Sequence, residues 1–428
     1  MAFSTYADTL HYLYAQLPMF TRVGASAYKK DLHNTLALCN ALHHPERKFK
    51  SVHIGGTNGK GSSSHMLAAI LQTAGYKTGL YTSPHLRDFR ERIRINGQMI
   101  PEQEVTNFVN SHQALFEEIN PSFFEATVGL AFDYFAKQGV DIAIIEVGLG
   151  GRLDSTNVIN PLLSLITNIG LDHQDILGTT LREIASEKAG IIKTTTPIII
   201  GEKQAEIADV FENKAIEANA KILFASDCWT ITPKETAPLL VVNAHSSKQN
   251  LELVLDLRGS YQVKNLAGVL TTVDELRQQG FKISEEHLKT ALKQVTSLTG
   301  LQGRWQTLQQ HPLVFCDTGH NEDGIKEVLK NIANTPHQNL HMVWGMVKDK
   351  DVAKILELLP KKANYYFCQP NIPRGKPTEE LAQEAQKYQL KGQAYTSVAE
   401  AYQQALSHAK PNDLVFVGGS TFVVAEVL

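Results

Sequence analysis

The stretch from Ile54 to Ser62 carries the residues best suited to chemistry, because it sets a glycine-rich turn and Lys60 between an apolar run and a helical pattern. Glycines let backbone N–H groups turn toward one point without Cβ clashes. A helix N-terminus adds partial positive charge, and Lys60 adds a full one. This combination predicts a polyphosphate site. The alternative is a glycine-rich turn that only leads into a helix.

The spacing of this loop differs from the common P-loop pattern, since Gly61 stands between Lys60 and Ser62. In this form the segment resembles the loop of the Mur-ligase superfamily, and most closely that of the folylpolyglutamate synthase/dihydrofolate synthase family. The resemblance implies an ATP site, with Lys60 also catalytic. Its expected residues here are Thr57, Asn58, Gly59, Lys60, Gly61 and Ser62.

Three polar residues follow predicted strands and are candidates for a Mg²⁺ site. Ser83 follows the strand that ends at Tyr81, Glu146 lies at the end of a continuous apolar run, and His173 follows the strand from Leu162. Mg²⁺ prefers hard oxygen ligands, and a Glu at a buried strand end is costly unless it meets a cation. The alternatives are a plain turn, a solvent-facing carboxylate and a surface histidine.

Two further stretches strengthen the resemblance. Tyr81–Leu86 is similar to the family's second signature, and Gly148–Asn157 closely resembles the folate-ligase signature. The resemblance implies that residues near these stretches, and residues 20–28, hold the pterin or pteroate. Aromatic faces suit a flat heterocycle, although such aromatics also form cores, and Arg152 and Asp154 could pair with each other. The predicted folate-binding residues are Phe123, Phe124, Glu125, Leu153, Asp154 and Ser155.

Three other residues receive roles only from the resemblance. Arg92, in an alternating stretch that could simply have one solvated face, is expected to pair with a carboxylate of the incoming glutamate. Lys188, otherwise an ordinary helix lysine, is expected to be carbamylated by CO₂ and to act in catalysis. Asn265, which could merely cap a helix, is expected to contact the nucleotide, although Leu266 departs from the family pattern.

Strands and helices alternate again from Pro312 onward, and polar residues follow the strands, as in the stretch from Gly345 to Asp351. Such residues also gather in ordinary strand-end turns. By resemblance, Arg304 and Asp317 close over ATP, while His320 (also catalytic) and Ser420 face the glutamate. Thr318 and Gly319 depart from the family form.

The pattern of elements predicts an α/β protein. A helical N-terminal segment precedes a parallel-sheet ATPase domain containing the P-loop, and a smaller Rossmann-like α/β domain follows. We place the first domain at residues 1–297 and the second at residues 298–428. Ligands of such sheets bind beyond the carboxyl ends of the strands, where the candidate residues lie.

Composition restricts the partners of this chain of 428 residues. The net charge of −3 gives no general attraction to nucleic acid or anionic membranes, and no apolar run is long enough for a membrane span. Four widely spaced cysteines indicate neither a disulfide framework nor a zinc site and fit a reducing compartment. We expect a cytoplasmic monomer that acts on small molecules.

These observations predict an ATP-dependent ligase that adds L-glutamate to dihydropteroate, to the glutamyl tail of a folate, or to both. An acyl phosphate would be the intermediate, and Mg²⁺ would accompany ATP. One rival is another Mur-type ligase, such as one that builds peptidoglycan precursors. A rival from a different class is a P-loop switch whose nucleotide hydrolysis ignores glutamate.

Overall fold

The computed structural model describes residues 3–19, 29, 31–235, 238–348 and 352–428. The predicted pterin segment at residues 20–28 therefore lies outside the described residues, as do residues 349–351 of the strand-end stretch that begins at Gly345. Among the described residues, no helix combines the length and apolar character that a membrane crossing requires.

The helices and strands that the sequence predicts are found in the predicted order, with boundaries shifted by a few residues. The helices are α1 (Tyr6–Gln16), α2 (His33–Ala41), α3 (Lys60–Thr73), α4 (Glu102–Ile119), α5 (Phe123–Gln138), α6 (Gln174–Leu177), α7 (Leu181–Ala189), α8 (Ala208–Glu217), α9 (Ala225–Cys228), α10 (Gln262–Gln278), α11 (Glu285–Leu292), α12 (Val295–Thr299), α13 (Glu322–Ala333), α14 (Val352–Leu358), α15 (Thr378–Lys387), α16 (Val398–His408) and α17 (Thr421–Ala425). The strands are β1 (Lys50–Gly55), β2 (Thr78–Tyr81), β3 (Ile93–Ile95), β4 (Gln98–Met99), β5 (Ile142–Glu146), β6 (Leu163–Ile166), β7 (Ile198–Ile200), β8 (Ile222–Phe224), β9 (Thr230–Glu235), β10 (Leu240–His245), β11 (Asn250–Leu255), β12 (Gln306–Gln310), β13 (Leu313–Cys316), β14 (Leu340–Trp344), β15 (Asn364–Phe367), β16 (Lys391–Ala394) and β17 (Leu414–Gly418).

The first sheet has the strand order β4-β3-β2-β5-β1-β6-β7-β8 among the described residues. Strands β2, β5, β1, β6, β7 and β8 are parallel, whereas β3 and β4 run antiparallel at one edge. Strand β5 is buried along its whole length, as expected for a parallel strand covered on both faces. Because β1 lies between β5 and β6, the loops that follow these three strands meet at one edge of the sheet.

A second, antiparallel sheet has the order β11-β10-β9. The alternating burial of β10 and β11 accounts for the predicted antiparallel pair. Strand β9 was not predicted, because Pro233 and two lysine or glutamate positions mask its pattern in the sequence.

The third sheet has the order β12-β13-β17-β14-β15-β16. All of its pairs are parallel except β12 with β13, so the predicted Rossmann-like alternation is present, with β12 as an additional edge strand. The central strands β14 and β17 are buried throughout, which explains their continuous apolar runs.

The chain divides into two compact units. The first comprises residues 1–256 and 262–301, and the second comprises residues 257–261 and 302–428. The short segment 257–261 thus belongs to the second unit, although the chain on either side of it belongs to the first.

One local expectation is wrong. Arg92 was placed in an alternating strand, but Phe89–Arg92 forms a 3₁₀ turn, and β3 begins only at Ile93. The cause is a capping box, in which Asp88 and Glu91 each accept hydrogen bonds from the backbone N–H groups of the turn.

Candidate active site

The glycine-rich loop joins β1 to α3 at the carboxyl edge of the first sheet. Helix α3 begins at Lys60, and Gly59 precedes it with a φ of 85°, in the left-handed region that favours glycine. Among the residues that the structure describes, no side chain caps this helix end, so the N–H groups of its first turn are available to an anion. The geometry suits a polyphosphate at the end of α3.

The segment after β6 fixes the shape of this loop. The backbone N–H of Thr57 donates to the Asn168 carbonyl at 2.9 Å, and that of Asn58 donates to the Asn168 side-chain oxygen at 2.9 Å. The Thr167 hydroxyl donates to the Asn58 carbonyl at 2.6 Å. Because Thr57 and Asn58 use their N–H groups inside the protein, the amides from Gly59 onward are better placed for phosphate. Thr167 and Asn168 escaped the sequence analysis, since only their position after β6 marks them.

Two lysines meet at one loop carbonyl. The Lys60 ammonium donates to the carbonyl oxygens of Gly56 and Thr57 at 3.0 and 3.1 Å. The buried Lys188 ammonium, from α7, donates to the same Gly56 oxygen at 3.0 Å. The structure therefore brings the two predicted catalytic lysines of the first unit together.

The surroundings of Lys188 favour its neutral amine. Burial, and secondly the charge of Lys60, lower the pKa of Lys188 to about 7, while Asp172 and Asp154 act in the opposite direction. A neutral amine is the form that can react with CO₂, so this environment is compatible with the expected carbamylation.

The start of α10 packs against the loop. Gln262 donates its side-chain N–H to the Ser62 hydroxyl at 3.1 Å and accepts a hydrogen bond from Asn265 at 2.8 Å. Asn265 also lies so close to Gly59 that a Cβ there would overlap its amide oxygen. Asn265 lies within the first turn of α10 and not at the residue before it. Gln262 is a further candidate site residue, which the sequence analysis missed although it stands only three positions before Asn265.

The three metal candidates lie at or beyond the carboxyl ends of β2, β5 and β6. Ser83 and Glu146 are close together, because the Ser83 backbone N–H donates to the Glu146 carboxylate at 3.3 Å. His173 precedes α6 in a left-handed conformation, with its ring 4.0 Å from a carboxylate oxygen of Asp172. Among the residues that the structure describes, no group of three or more His, Cys, Asp or Glu side chains forms a metal-binding cluster.

The donor chemistry at this edge nevertheless fits a hard divalent cation. Glu146 is a buried carboxylate at the end of β5, and Ser83 adds a hydroxyl oxygen in the next loop. Buried carboxylates are stabilised by cations, and Mg²⁺ accepts carboxylate and hydroxyl oxygens together with phosphate oxygens. The set of Ser83, Glu146 and His173 stays a prediction.

The signature loop 148–157 is organised by Asp154. Its carboxylate accepts hydrogen bonds from the backbone N–H groups of Leu149 and Thr156 at 2.8 and 3.0 Å. His53 of β1 contacts the Thr156 hydroxyl at 2.8 Å. Burial raises the pKa of Asp154 despite these hydrogen bonds. Asp154 thus has a clear structural role, whereas the neighbouring Leu153 is only half-buried.

Other residues of the loop are also held by contacts within the protein. Ser155 is buried in the 3₁₀ turn that Asp154 caps. Arg152 pairs with Glu187 at 2.7 Å. The loop therefore reaches α7 through this ion pair, next to Lys188.

The predicted folate residues on α5 differ in their surroundings. Phe123 is a core residue, whereas Phe124 is partly exposed, with its ring centroid 6.3 Å from that of Tyr81. Glu125 is buried and closes a capping box by accepting from the Ser122 N–H at 2.6 Å. Phe124 is therefore the best placed of the three to meet a flat ring.

Arg92 is a buried guanidinium. Its Nε donates to His85 Nδ1 at 2.8 Å, and its guanidinium carbon lies 5.4 Å from the centroid of the Phe123 ring. Burial lowers the pKa of Arg92, and burial together with Arg92 lowers the pKa of His85 to about 3. His85 is consequently a neutral acceptor. A buried cation of this kind suits a carboxylate ligand.

The second unit has its own set of candidates at the carboxyl ends of its strands. Asp317, after β13, accepts hydrogen bonds from the Tyr261 hydroxyl at 2.6 Å, from the Trp305 N–H at 2.7 Å and from the Gly319 N–H at 2.8 Å. Arg304 donates to the Gly303 carbonyl at 3.1 Å and to the Thr318 hydroxyl. Tyr261 was not predicted, because it lies far from Asp317 in the sequence.

The two glutamate candidates of this unit are differently constrained. His320 Nδ1 lies 3.0 Å from the Thr318 carbonyl, so Nδ1 carries the proton and Nε2 can accept one. Ser420 is buried and caps α17 by accepting from the Phe422 N–H at 3.2 Å. Its hydroxyl proton can still be donated to a ligand.

Family models match most of the chain. A model described as the Mur ligase middle domain matches residues 54–273, and one described as the Mur ligase glutamate ligase domain matches residues 303–421. The dihydrofolate synthase/folylpolyglutamate synthase of Bacillus subtilis (strain 168) is 31% identical over 440 aligned residues, which cover 99% of this chain and 99% of that protein.

Solved structures resemble the chain over nearly its whole length. Escherichia coli FolC in complex with DHPP and ADP has a TM-score of 0.87 at 30% identity, covering 99% of this chain and 97% of that one. A bifunctional folylpolyglutamate synthase/dihydrofolate synthase with Mn, AMPPNP and L-glutamate bound has a TM-score of 0.85 at 28% identity, covering 99% and 97% respectively.

Proposed function

The chain belongs to the Mur ligases and, within them, to the dihydrofolate synthase/folylpolyglutamate synthase family, and we propose that it uses ATP to join L-glutamate to dihydropteroate, to the glutamyl tail of a folate, or to both. The observation that carries this function in the chain itself is the meeting of Lys60 and Lys188 at the Gly56 carbonyl of a P-loop. A second lysine beside the P-loop fits the expected carbamylated residue of a Mur-type ligase.

Phosphoryl transfer is the first step of the proposed reaction. An oxygen of the substrate carboxylate attacks the γ-phosphorus of ATP, and ADP leaves. The N–H groups at the start of α3 hold the phosphates, and Lys60 neutralises charge on them. Mg²⁺, which Ser83, Glu146 and His173 would hold, supplies further charge neutralisation when bound.

Amide formation is the second step. The glutamate amine attacks the carbonyl carbon of the acyl phosphate, phosphate leaves, and the nitrogen loses a proton. Arg92 and Ser420 are proposed to hold carboxylates of glutamate. His320 is proposed to accept the proton at Nε2, since its Nδ1 is occupied by the Thr318 carbonyl.

A carbamate on Lys188 would change the charge at the loop. The buried amine near Lys60 has a pKa of about 7, so a substantial neutral fraction exists near pH 7. The neutral amine adds CO₂ and releases a proton, so an anionic carbamate stands where an ammonium would otherwise be, and the repulsion with Lys60 is removed. The carbamate, the monomeric state and the cytoplasmic compartment stay predictions.

One assay tests the function. Purified protein receives ATP, Mg²⁺ and glutamate, with dihydropteroate in one reaction and tetrahydrofolate in another, and released phosphate and the glutamylated product are measured. We expect phosphate release only when glutamate and one pterin substrate are both present. Phosphate release that does not depend on glutamate would instead indicate a P-loop switch. A third reaction receives a peptidoglycan precursor in place of the pterin substrate, and activity in that reaction alone would indicate another Mur-type ligase.

A further inference from the structure

A five-residue strap, Leu257–Tyr261, belongs to the second unit although the chain on both sides of it belongs to the first. Hydrogen bonds hold it in place. Arg258 donates to the Thr307 hydroxyl at 2.8 Å, and the Ser260 N–H donates to the Asn331 side-chain oxygen at 3.0 Å. The strap ends at Tyr261, whose hydroxyl donates to Asp317 at 2.6 Å.

The direction of this last hydrogen bond is fixed. Burial and the Asp317 carboxylate raise the pKa of Tyr261 well above its usual value, so the hydroxyl keeps its proton and donates. Tyr261 and the Trp305 N–H both donate to one oxygen of Asp317, and the Gly319 N–H donates to the other. Of these three donors, only Tyr261 is a side chain, and only it comes from the strap.

We propose that Tyr261 is a positioning residue. Its hydroxyl fixes the orientation of the Asp317 carboxylate, so that this carboxylate is already oriented to accept a hydrogen bond from ATP. The inference rests on the proposed function, because it takes Asp317 as a nucleotide-binding residue. Without the hydroxyl, one oxygen of Asp317 keeps a single donor from the described part of the chain, and the carboxylate has greater freedom to rotate.

The strap continues directly into α10, so Tyr261 is covalently joined to that helix. The residue after Tyr261 is Gln262, which begins α10 in the first unit and donates to the Ser62 hydroxyl there at 3.1 Å. Each hydrogen bond lies inside its own unit. Tyr261 therefore contacts the predicted nucleotide-binding residue Asp317, and the next residue, Gln262, contacts a second one, Ser62.

The test is Tyr261→Phe, which removes only the hydroxyl. We expect KM for ATP to rise roughly ten-fold, because the charge-assisted hydrogen bond from Tyr261 to Asp317 is lost and Asp317 is proposed to bind ATP. Both kcat and KM for glutamate should change less than about two-fold. Removing a donor from the ionised carboxylate raises its pKa, so the acid limb of kcat/KM for ATP should move to higher pH. Tyr365→Phe is the matched control, because the Tyr365 hydroxyl donates to the Pro360 carbonyl at 2.9 Å in the same unit, away from Asp317.

A double-mutant cycle with Asp317→Asn decides whether Tyr261 acts through Asp317. In the Asp317→Asn background, Tyr261→Phe should change KM for ATP less than about two-fold. Equal losses in both backgrounds, or an unchanged KM and pH profile in the single variant, would overturn the inference. ADP titration and a product assay of the unmodified protein distinguish failure of this inference from failure of the proposed ligase function. If it binds ADP and makes product while Tyr261→Phe is unchanged, only this inference fails, whereas an unmodified protein without ligase activity contradicts the proposed function.

Discussion

Lys60 and Lys188 donate to the same acceptor, the carbonyl oxygen of Gly56, at 3.0 Å each. One lysine begins α3, and the other lies near the end of α7. Two ammonium groups at one carbonyl oppose each other, and burial adds to the cost of the charge on Lys188. The loop therefore contains a lysine whose charge state is sensitive to pH and to chemical modification.

Lys188→Ala should lower kcat by about 100-fold or more, because the proposed carbamate, which would balance the charge of Lys60 at the loop, cannot form. Lys188→Glu should retain part of the activity, since a carboxylate can replace a carbamate. Initial rates at saturating ATP measure both effects. Lys214→Ala is the control, since Lys214 lies in an exposed pair with Glu217 on α8. Full activity of Lys188→Ala would rule out a catalytic role for this lysine.

The stability of the protein should rise with pH because of Lys188. Its pKa is about 7 in the folded protein against an ordinary value of 10.5, so between these values the unfolded chain binds more protons than the folded one. The free energy of unfolding then increases as the pH rises from about 7 to 10.5. Urea unfolding in CO₂-free buffer at several pH values should show this slope, and Lys188→Met should flatten it. An identical slope in Lys188→Met would show that Lys188 does not cause the pH dependence of the stability.

Glu146→Gln should weaken metal binding. The substitution keeps the shape of the side chain but removes the negative charge of a buried oxygen ligand. We expect the affinity for Mn²⁺ in the presence of an ATP analogue, followed by electron paramagnetic resonance, to fall roughly ten-fold or more. Glu252→Gln is the control, because Glu252 is exposed in β11 and pairs with Lys234. Equal Mn²⁺ affinity in Glu146→Gln and the unmodified protein would remove Glu146 from the metal site.

Gly148→Ala should weaken folate binding while leaving ATP binding within about two-fold. A Cβ at Gly148 would overlap the ring of Phe124, so the ring must move away from the position in which it could meet a pterin. Fluorescence titration with a folate substrate measures the effect. Gly129→Ala is the control, because the nearest atom to its new Cβ is a Leu42 methyl carbon at an ordinary 3.5 Å. Unchanged folate affinity in Gly148→Ala would argue against Phe124 as a pterin contact.

Much of the fold followed from local patterns. The continuous apolar run of β5 predicted a buried parallel strand, and the alternation after Pro312 predicted the third sheet. Strand β9 and the 3₁₀ turn that ends at Arg92 were missed. Pro233 interrupts the strand pattern of β9, and the turn is closed by hydrogen bonds to Glu91 that a regular spacing of apolar residues does not reveal.

The candidate site was predictable only as a set of separate residues. The Gly59–Lys60 pair and Glu146 could be named as candidates, because glycine spacing and a carboxylate at a strand end carry chemical meaning by themselves. Gln262 was marked only by its place three residues before Asn265, and Tyr261 carried no signal of this kind. Their partners, Ser62 and Asp317, are distant in sequence, and a lone Gln or Tyr beside a helix start is compatible with many roles.

The sequence by itself determined the P-loop, the order of the strand-end residues and the family resemblance, because these depend on residue types at short spacing. Only the tertiary structure decided that the Thr57 and Asn58 amides bond to Asn168, and that Lys188 joins Lys60 at Gly56. The physical reason is that a hydrogen bond or a pKa depends on distance and burial. Both are set by packing between segments that the sequence keeps far apart.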